Sequence, residues 1–513
     1  MKRNGTVRSS QVDSESEPVR IAIVGSGYIG LVAAACFAEI GHTVIFVDTD
    51  ATRVAKLRQR IVPIYEHFLP ELLQRHYPSR LSFTTSLRDA VAESEAIFIA
   101  VGTPVLENGE ADLSYVEQAV EEIAGSINGY KVLAEISTVA VSTSDSITTV
   151  LLRNGIRRDL FDVVSNPEFL REGTGVTDFL HPDRIIVGTE SEKAYTLLER
   201  IYRPLTSGQY YKSLFSVRGG RSQSRPAPLL RTSAKSAELL KHASDAFLAT
   251  KISFINSVAN ICDAVNADIS EVAQGMGMDP SIGPGCLVAG LGYGGSSIPD
   301  HIIYLRAISS RSGANFNLLH EVERINEEQQ VSFLDKVRLA LGELQDKKLG
   351  VLGLSFRGGT DDISESPAMN VVRALVAEGC IITAYDPAAT ENAQKVLSED
   401  SVVFAENAYE AMDGVDALLV LTDWAEFSAL DIREMKKRLG DSVVLDGRNM
   451  FDSCAMREMG LTYGSLGRPV DGGLSSRQMP LVGKRKMRTP LTMPSRAMRL
   501  AEATRSRKPS MST

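Results

Sequence analysis

Ser297 and His301 stand four positions apart, in a segment that also contains Pro299. Proline is favoured in the first turn of a helix, so the sequence predicts that a helix opens here, with Ser297 and His301 about one turn apart. An imidazole at that distance can act as a general base for a serine hydroxyl, which is otherwise a weak nucleophile. Asp300 adjoins the histidine. The alternative is that His301 is an ordinary polar residue at the surface.

Two carboxylates form a second candidate group. Pro167 disfavours a helical conformation at Asn166, so the chain is predicted to turn after it, with Glu168 and Glu172 on one face of that turn. Such carboxylates can handle the proton that leaves when an alcohol loses a hydride. The alternative interpretation is two solvated glutamates at the start of a helix, where acids are favoured in any case.

Glycines in a GxGxxG spacing predict a dinucleotide site. Gly25, Gly27 and Gly30 follow the apolar run Arg20–Val24, and an Ala-rich helix and a second apolar run ending in Asp48 come next. In such a unit the glycines permit a tight turn, close approach of a pyrophosphate and close helix packing. The helix N-terminus offers N–H groups to the phosphates, and the acid accepts from ribose hydroxyls. Asp48 favours NAD over NADP, whose 2′-phosphate it would repel.

The elements that carry these residues alternate between strands and helices. A second strand-and-turn unit begins at 348–354 and is followed by helix 368–378 and further apolar strands. This alternation predicts an α/β fold with two Rossmann-like doubly wound parallel-sheet domains, joined by a long central helix. The expected segments are a disordered tail at 1–18, an NAD-binding domain at 19–212, a surface insertion at 213–235, a central helical and sugar-loop domain at 236–330, a nucleotide-binding C-terminal domain at 331–470 and a basic disordered tail at 471–513.

Composition limits the classes of partner. The 513 residues have a formal charge of −9, but segment 475–513 carries ten Lys or Arg and one Glu, so that residues 1–474 carry −18. An acidic body argues against nucleic-acid binding. Without an apolar run long enough for a membrane span or a signal peptide, a cytoplasmic protein with no membrane contact is expected. The five cysteines show no metal-ligand spacing, so we predict reduced thiols and no metal.

Several segments resemble one family. The loop Gly292-Tyr-Gly-Gly-Ser-Ser-Ile-Pro-Asp-His301 is similar to the loop Gly-Tyr-Gly-Gly-Ser-Cys-Phe-Pro-Lys-Asp of the UDP-glucose/GDP-mannose dehydrogenase family. Segments 137–143, 165–173, 236–256 and 275–295 also resemble family motifs, and so does Asp446-Gly-Arg-Asn449. The similarity runs over residues 20–455 and is closest to the UDP-glucose 6-dehydrogenase type.

The resemblance implies an NAD-dependent oxidation of UDP-glucose to UDP-glucuronate for polysaccharide synthesis, in a homo-oligomer assembled through the central helix. Together with the residues argued above, the catalytic candidates are Ser297, Lys241, Glu168, Thr138, Asp245 and His301. The candidates for cofactor binding are Gly25, Gly27, Tyr28, Ile29, Gly30, Asp48, Arg53, Thr103, Thr138, Glu172, Asp300 and Ser364. The candidates for binding the UDP-sugar are Glu168, Phe169, Leu170, Lys241, Asp245, Gly290, Gly294 and Arg357.

The chain departs from the family pattern at positions that carry chemistry. The family's covalent nucleophile is a cysteine where this chain has Ser297, and Asp245 replaces the asparagine that helps a lysine, here Lys241, to stabilise an oxyanion. We expect Asp245 to pair with Lys241 and to repel a developing alkoxide. An ordinary surface ion pair between Lys241 and Glu238 is the alternative. Further departures are Ile136, Ser281, Asp300, His301 and Ser364.

These departures keep two other functions open. One is a catalytically inactive paralogue, or one limited to a single oxidation, that still binds NAD and a nucleotide sugar. The other is a dehydrogenase for GDP-mannose or a UDP-N-acetylhexosamine. Because an alcohol is a weaker nucleophile than a thiol and an oxygen ester leaves more slowly than a thioester, the second oxidation is the step that the sequence predicts to be impaired.

Overall fold

The computed structural model describes residues 17–25, 27–106, 108–137, 139–214, 216–218, 225–398 and 401–468. They form two compact units. The first comprises the described residues of Met1–Pro104 and Asp112–Lys241, and the second those of Val105–Ala111 and His242–Thr513. The tails predicted at 1–18 and 471–513 lie outside the described residues, apart from Glu17 and Pro18.

The first unit is built on an eight-stranded sheet in the order β3-β2-β1-β4-β5-β6-β7-β8. Its strands are parallel except for the antiparallel pairing of β6 with β7. The strands are β1 (Arg20–Val24), β2 (Thr43–Val47), β3 (Leu81–Thr84), β4 (Ala96–Ile99), β5 (Lys131–Glu135), β6 (Phe161–Ser165), β7 (Ile185–Gly188) and β8 (Leu229–Thr232).

Helices cover both faces of this sheet. Ile21 and Ile23 of β1 pack into one hydrophobic cluster, whereas Ala22 and Val24 pack into another, because successive side chains of a strand point to opposite faces. Short 3₁₀ helices lie at Arg158–Leu160 and Tyr210–Lys212. The α-helices are α1 (Tyr28–Glu39), α2 (Ala51–Arg58), α3 (Leu69–His76), α4 (Leu87–Glu93), α5 (Ser114–Ala124), α6 (Thr143–Arg153), α7 (Gly175–Leu180) and α8 (Glu192–Thr206).

A long helix, α9 (Ala234–Val265), has 32 residues and contains the boundary between the two units. The second unit continues with α10 (Ile269–Gly277), α11 (Ser297–Ser312) and α12 (Leu318–Leu341). Among the helices of the described residues, none has the combination of length and apolar composition that a bilayer crossing requires.

The second unit contains a six-stranded parallel sheet in the order β11-β10-β9-β12-β13-β14. Its strands are β9 (Lys348–Leu352), β10 (Ile381–Tyr385), β11 (Val402–Phe404), β12 (Ala417–Val420), β13 (Val443–Asp446) and β14 (Thr462–Ser465). A 3₁₀ helix lies at Glu410–Met412. The remaining helices are α13 (Pro367–Ala377), α14 (Thr390–Gln394), α15 (Ala425–Ser428), α16 (Ile432–Leu439) and α17 (Ser453–Glu458). Two doubly wound sheets and a long helix confirm the predicted fold class.

One predicted boundary differs from the structure. The expected surface insertion at 213–235 includes β8, whose residue Leu229 pairs with Ile185 of β7, so part of that range belongs to the sheet. The Arg- and Pro-rich composition around this strand concealed it, since a half-exposed edge strand needs few apolar residues. From His242 onward, the residues expected to form a central domain at 236–330 lie in one compact unit with the C-terminal sheet.

Candidate active site

The glycine turn between β1 and α1 has two glycines that packing requires and one that it does not. Gly25 has φ +126°, and a Cβ there would lie 2.3 Å from the Ala100 carbonyl oxygen. A Cβ on Gly30 would lie 2.5 Å from the Gly25 oxygen. A Cβ on Gly27 would have no described atom within 4 Å. Gly27 therefore borders open space at the N-terminus of α1, which fits a pyrophosphate.

Asp48 follows β2 and is held in a fixed orientation. Its side chain is buried, one oxygen accepts from the Asp50 N–H at 2.8 Å, and the other lies 3.3 Å from Arg53. Asp50 in turn caps the first turn of α2. The acid expected to bind ribose hydroxyls thus lies at the carboxyl end of a strand next to β1, the edge at which doubly wound sheets bind ligands.

Tyr28 has a structural role that the sequence did not indicate. Its hydroxyl donates to Glu66, whose carboxylate also accepts from the N–H groups of Gly173 and Val176. Burial raises the pKa values of both Tyr28 and Glu66, and the nearby Glu172 adds to the rise at Tyr28. The tyrosine ring therefore ties α1 to the loop before α7.

That loop contradicts the predicted helical turn with Glu168 and Glu172 on one face. In this described stretch no helix begins before α7, at Gly175. The Glu168 carboxylate turns back to accept from the Leu170 N–H, and Asp178 accepts from the Arg171 N–H at 3.1 Å. These local side-chain hydrogen bonds replace the helical ones, so the predicted turn is wrong.

Glu168 instead meets Lys241 of α9. The Lys241 Nζ lies 3.4 Å from a Glu168 oxygen, and the two side chains are 5% and 6% exposed. The same Nζ lies 5.4 Å from the centre of the Phe169 ring. Lys241 and Glu238 are both buried, so the alternative of a surface ion pair between them is wrong. The Glu168 side chain is only 6% exposed, so the alternative of a solvated Glu168 is wrong as well. The expected pairing of Lys241 with Asp245 stays a prediction.

Two buried acids lie near this pair, and the sequence named neither of them as a site residue. Glu135, the last residue of β5, is 1% exposed, and burial followed by the negative charges of Glu238 and Glu168 raises its pKa well above the ordinary value. Glu238 accepts from the N–H groups of Ser142 and Ser144, at 2.6 and 3.0 Å, at the start of α6. The sequence feature that could have identified Glu135 is a carboxyl group at the end of a buried central strand.

In the second unit, the glycine loop 290–295 is packed against its neighbours. The Gly290 N–H donates to Asn256 at 2.9 Å, and Asn326 accepts from the Tyr293 N–H at 2.8 Å. A Cβ at Gly294 would lie 2.4 Å from the Glu365 oxygen. Its glycines are thus required by close backbone packing, and the proposal that Gly290 and Gly294 bind a sugar is not tested by these contacts.

Ser297 begins α11 and Pro299 lies in the first turn, as the sequence predicts. Ser297 is exposed, whereas His301 is 1% exposed, so the alternative of a surface histidine is wrong. The Nδ1 of His301 contacts a carboxylate oxygen of Asp245 rather than its neighbour Asp300. Within the described residues no side-chain hydrogen bond joins Ser297 to His301. The predicted serine–histidine pair stays a prediction, and its acidic partner is a residue of α9.

Ser364 and Arg357 lie in the segment between β9 and α13. The Ser364 carbonyl accepts from the Gly295 N–H at 2.9 Å, which places Ser364 beside the glycine loop. Asp423 lies near Arg357, 2.9 Å from Arg448 and 2.9 Å from the Gly358 nitrogen. Partial shielding from water favours the neutral acid, but Arg448, the Gly358 N–H and Arg357 lower the pKa of Asp423 to about 2.

Four candidate residues remain, Thr138, Thr103, Ile29 and Leu170. Thr138 lies outside the described residues. Thr103 follows β4 at the same edge of the sheet as Asp48, and the partly buried side chains of Ile29 and Leu170 pack against the core of the first unit.

Residues 19–206, 235–328 and 350–453 match, in turn, the NAD binding domain, the central domain and the UDP binding domain of the UDP-glucose/GDP-mannose dehydrogenase family. The chain belongs to this family. NAD is therefore the cofactor of the first unit, in agreement with the open space at Gly27 and the acid at Asp48.

Characterised relatives cover nearly the whole chain. The dehydrogenase is 40% identical over 455 residues to UDP-glucose 6-dehydrogenase TuaD of Bacillus subtilis, which covers 88% of this chain and 94% of the relative. It is 38% identical over 456 residues to UDP-glucose 6-dehydrogenase of Rhizobium meliloti, covering 88% and 100%. A solved UDP-glucose dehydrogenase from Pyrobaculum islandicum superposes with a TM-score of 0.78 at 34% identity, covering 90% of this chain and all of that one.

Proposed function

We propose that this dehydrogenase oxidises the primary alcohol of UDP-glucose to the carboxylate of UDP-glucuronate. The buried Glu168–Lys241 pair, in the unit that carries the NAD-binding turn, is the observation on which the proposal depends most. The identity to UDP-glucose 6-dehydrogenases over most of the chain supports this choice of sugar nucleotide. A role in supplying polysaccharide precursors in the cytoplasm is part of the proposal.

The first oxidation needs a group that removes a proton and a group that stabilises the alkoxide. NAD⁺, held at the glycine turn between β1 and α1, would supply the hydride acceptor for each oxidation. Glu168, held by the Leu170 N–H and Lys241, is suited to manage the alcohol proton. The Lys241 ammonium is suited to stabilise negative charge on the substrate oxygen, since its buried surroundings strengthen electrostatic interactions.

The second oxidation distinguishes this chain from the family pattern that it resembles. A serine at position 297 must attack the aldehyde without the thiolate that a cysteine supplies. For this reason a single-oxidation enzyme, or a binding protein without turnover, is the second candidate function. Ser297 favours this second candidate, because the resemblance assigns its position to the covalent step.

Counting NADH per UDP-glucose consumed tests the function. We expect two NADH and UDP-glucuronate by mass spectrometry, with a slow second phase. One NADH with an aldehyde product would support the single-oxidation alternative, and none with retained binding would support an inactive paralogue. Substitution of GDP-mannose or UDP-N-acetylglucosamine in the same assay tests the other sugars.

Lys241→Ala provides the residue-level test of the proposal. Loss of one preorganised charge at an oxyanion lowers kcat by about a hundredfold to a thousandfold. Lys235→Ala is the matched control, because Lys235 lies on the same helix with its side chain 61% exposed. Equal rates for the two variants would contradict a catalytic role for Lys241.

We also propose that the enzyme is a homo-oligomer that pairs through α9. Large apolar side chains on this helix are exposed at seven-residue intervals, with Phe247 at 64%, Phe254 at 52% and Ile261 at 60%. A spacing of seven places them along one face of a helix. Such a row is typical of a surface that a second helix covers.

A further inference from the structure

Asp245 and His301 form a buried pair between two helices of the second unit. A carboxylate oxygen of Asp245, on α9, contacts the Nδ1 of His301, on α11. The residues are 8% and 1% exposed. The His242 ring stands edge-on to the His301 ring, with centroids 5.2 Å apart, and also edge-on to the Tyr304 ring, with centroids 5.7 Å apart. Packing on this scale fixes the orientation of the imidazole.

The contact places one ring nitrogen of His301, Nδ1, against the Asp245 carboxylate. A neutral histidine carries a proton on one nitrogen and a lone pair on the other, and the hydrogen bond made by one sets the role of the other. A proton on Nδ1 would face the Asp245 carboxylate and would leave the lone pair of His301 on Nε2. This arrangement suits a general base that receives a proton through Nε2.

Ser297 is the serine that helix geometry brings into range. It is the first residue of α11, four positions before His301, and the helix is regular from its start, since the Asp300 N–H donates to the Ser296 carbonyl at 3.2 Å. Side chains four apart on a helix lie on one face, with Cβ atoms about 6 Å apart. Ser297 is also exposed, as a nucleophile must be.

The same three positions depart together from the family pattern described above. A cysteine, which ionises readily, needs little help from a base, whereas a serine needs one. Here a serine stands at the nucleophile position, a histidine lies one turn away and a carboxylate has replaced an amide at the position that contacts the histidine. The serine requires a base, which His301 can provide, and the histidine requires a carboxylate to orient it, which Asp245 can provide.

We propose that Asp245, His301 and Ser297 form a relay in which Asp245 positions His301 and His301 deprotonates Ser297, making Ser297 the covalent nucleophile of the second oxidation. The inference rests on the proposed function, because it assigns how the aldehyde formed first becomes a carboxylate. Ser297 and His301 are catalytic residues in this scheme, and Asp245 is a positioning residue.

The chemistry balances with water and the family's cofactor alone. The Ser297 oxygen bonds to the aldehyde carbon, and its proton passes through His301 to the carbonyl oxygen, giving a hemiacetal. Oxidation removes a hydride from that carbon, for which NAD⁺ would supply the acceptor, and the hydroxyl proton passes to solvent water, leaving an ester on Ser297. His301 then deprotonates a water that attacks the ester, the bond to the Ser297 oxygen breaks, and the serine regains a proton.

A fluorophosphonate probe tests the relay without any sugar turnover. An activated serine displaces fluoride from phosphorus, forming a phosphorus–oxygen bond that peptide mass spectrometry locates. We expect labelling at Ser297 in the wild type, and a loss of about a hundredfold or more in labelling rate for His301→Ala and Asp245→Asn. His320→Ala, an exposed histidine of α12, is the control and should label as the wild type does. A wild type that is not labelled at Ser297 would overturn the relay.

Turnover separates failure of the relay from failure of the proposed function. We expect His301→Gln, which keeps a polar side chain in the buried position, to release one NADH per UDP-glucose and to stall before the second. Ser297→Cys should restore the second NADH in the His301→Gln background, since a thiol does not need the base. Two NADH from His301→Gln and from Ser297→Ala would overturn the relay alone, whereas no NADH from the wild type would overturn the proposed function.

Discussion

Individual glycines of the NAD turn show which residues serve the fold and which serve the ligand. Gly25 and Gly30 approach backbone atoms so closely that a methyl group has no room, and Gly25 also has a positive φ. Gly27 has a negative φ of −75° and open space where a methyl group would point. The sequence motif treats all three alike, but the physical reasons for them differ.

Gly27→Ala is predicted to damage cofactor binding while leaving the fold intact. The added methyl group meets no described atom of the protein, so the thermal midpoint should change little, but it occupies the space through which a pyrophosphate approaches. The Kd for NAD⁺, measured by calorimetry, should rise by about tenfold or more, equivalent to about 1.4 kcal/mol. Gly25→Ala should instead lower the free energy of unfolding by more than about 2 kcal/mol. Unchanged NAD⁺ affinity in the Gly27→Ala variant would contradict the assignment.

At the scale of elements, strand ends and helices bring acids together. Glu135 ends β5, Glu168 follows β6, and Glu238 and Lys241 both lie on α9. Three carboxyl groups and one ammonium group from three separate parts of the chain therefore lie close together. Since like charges cannot all be buried in ionised form, the acid with the highest pKa remains protonated. Burial raises the pKa values of both Glu135 and Glu238, and it raises that of Glu135 well above the ordinary value, so Glu135 is the acid expected to hold a proton.

This convergence predicts a pH-dependent stability. A carboxyl group whose pKa is raised in the folded state binds a proton that the unfolded chain releases. The free energy of unfolding therefore keeps its full value below pH 4.5, the ordinary pKa, and falls as the pH rises toward the pKa of the folded state. Glu135→Gln mimics the protonated acid and removes this loss. Its gain in free energy of unfolding over the wild type, measured in urea titrations, should grow as the pH rises above the ordinary value of 4.5.

The control for this comparison is Glu122→Gln, at an exposed position of α5. It should track the wild type at every pH, because an exposed carboxyl group loses little hydration on folding. Parallel curves for Glu135→Gln and the wild type would show that Glu135 is not protonated in the folded protein.

At the scale of the whole molecule, the exposed face of α9 predicts an assembly. Phe254→Glu places a charge in the middle of the row that includes Phe247 and Ile261, and burial of an unpaired charge at an interface is costly. The variant should have a lower mass than the wild type by light scattering, with an unchanged circular dichroism spectrum. Lys235→Glu, near the start of the same helix, is the charge-changing control. A wild type that is already monomeric would rule out the assembly.

The sequence by itself determined the two doubly wound sheets, the long helix, the NAD turn and the start of α11, because strand and helix periodicity, glycine spacing and proline placement act over a few neighbouring residues. It misplaced the conformation of Glu168, missed Glu135 and named Asp300 rather than Asp245 as the acid beside His301. Only the tertiary structure decided these, since residues 168 and 241, or 245 and 301, meet through strand order and helix packing. Neighbouring residues determine where helices and strands form, but the packing of these elements determines which charged side chains pair.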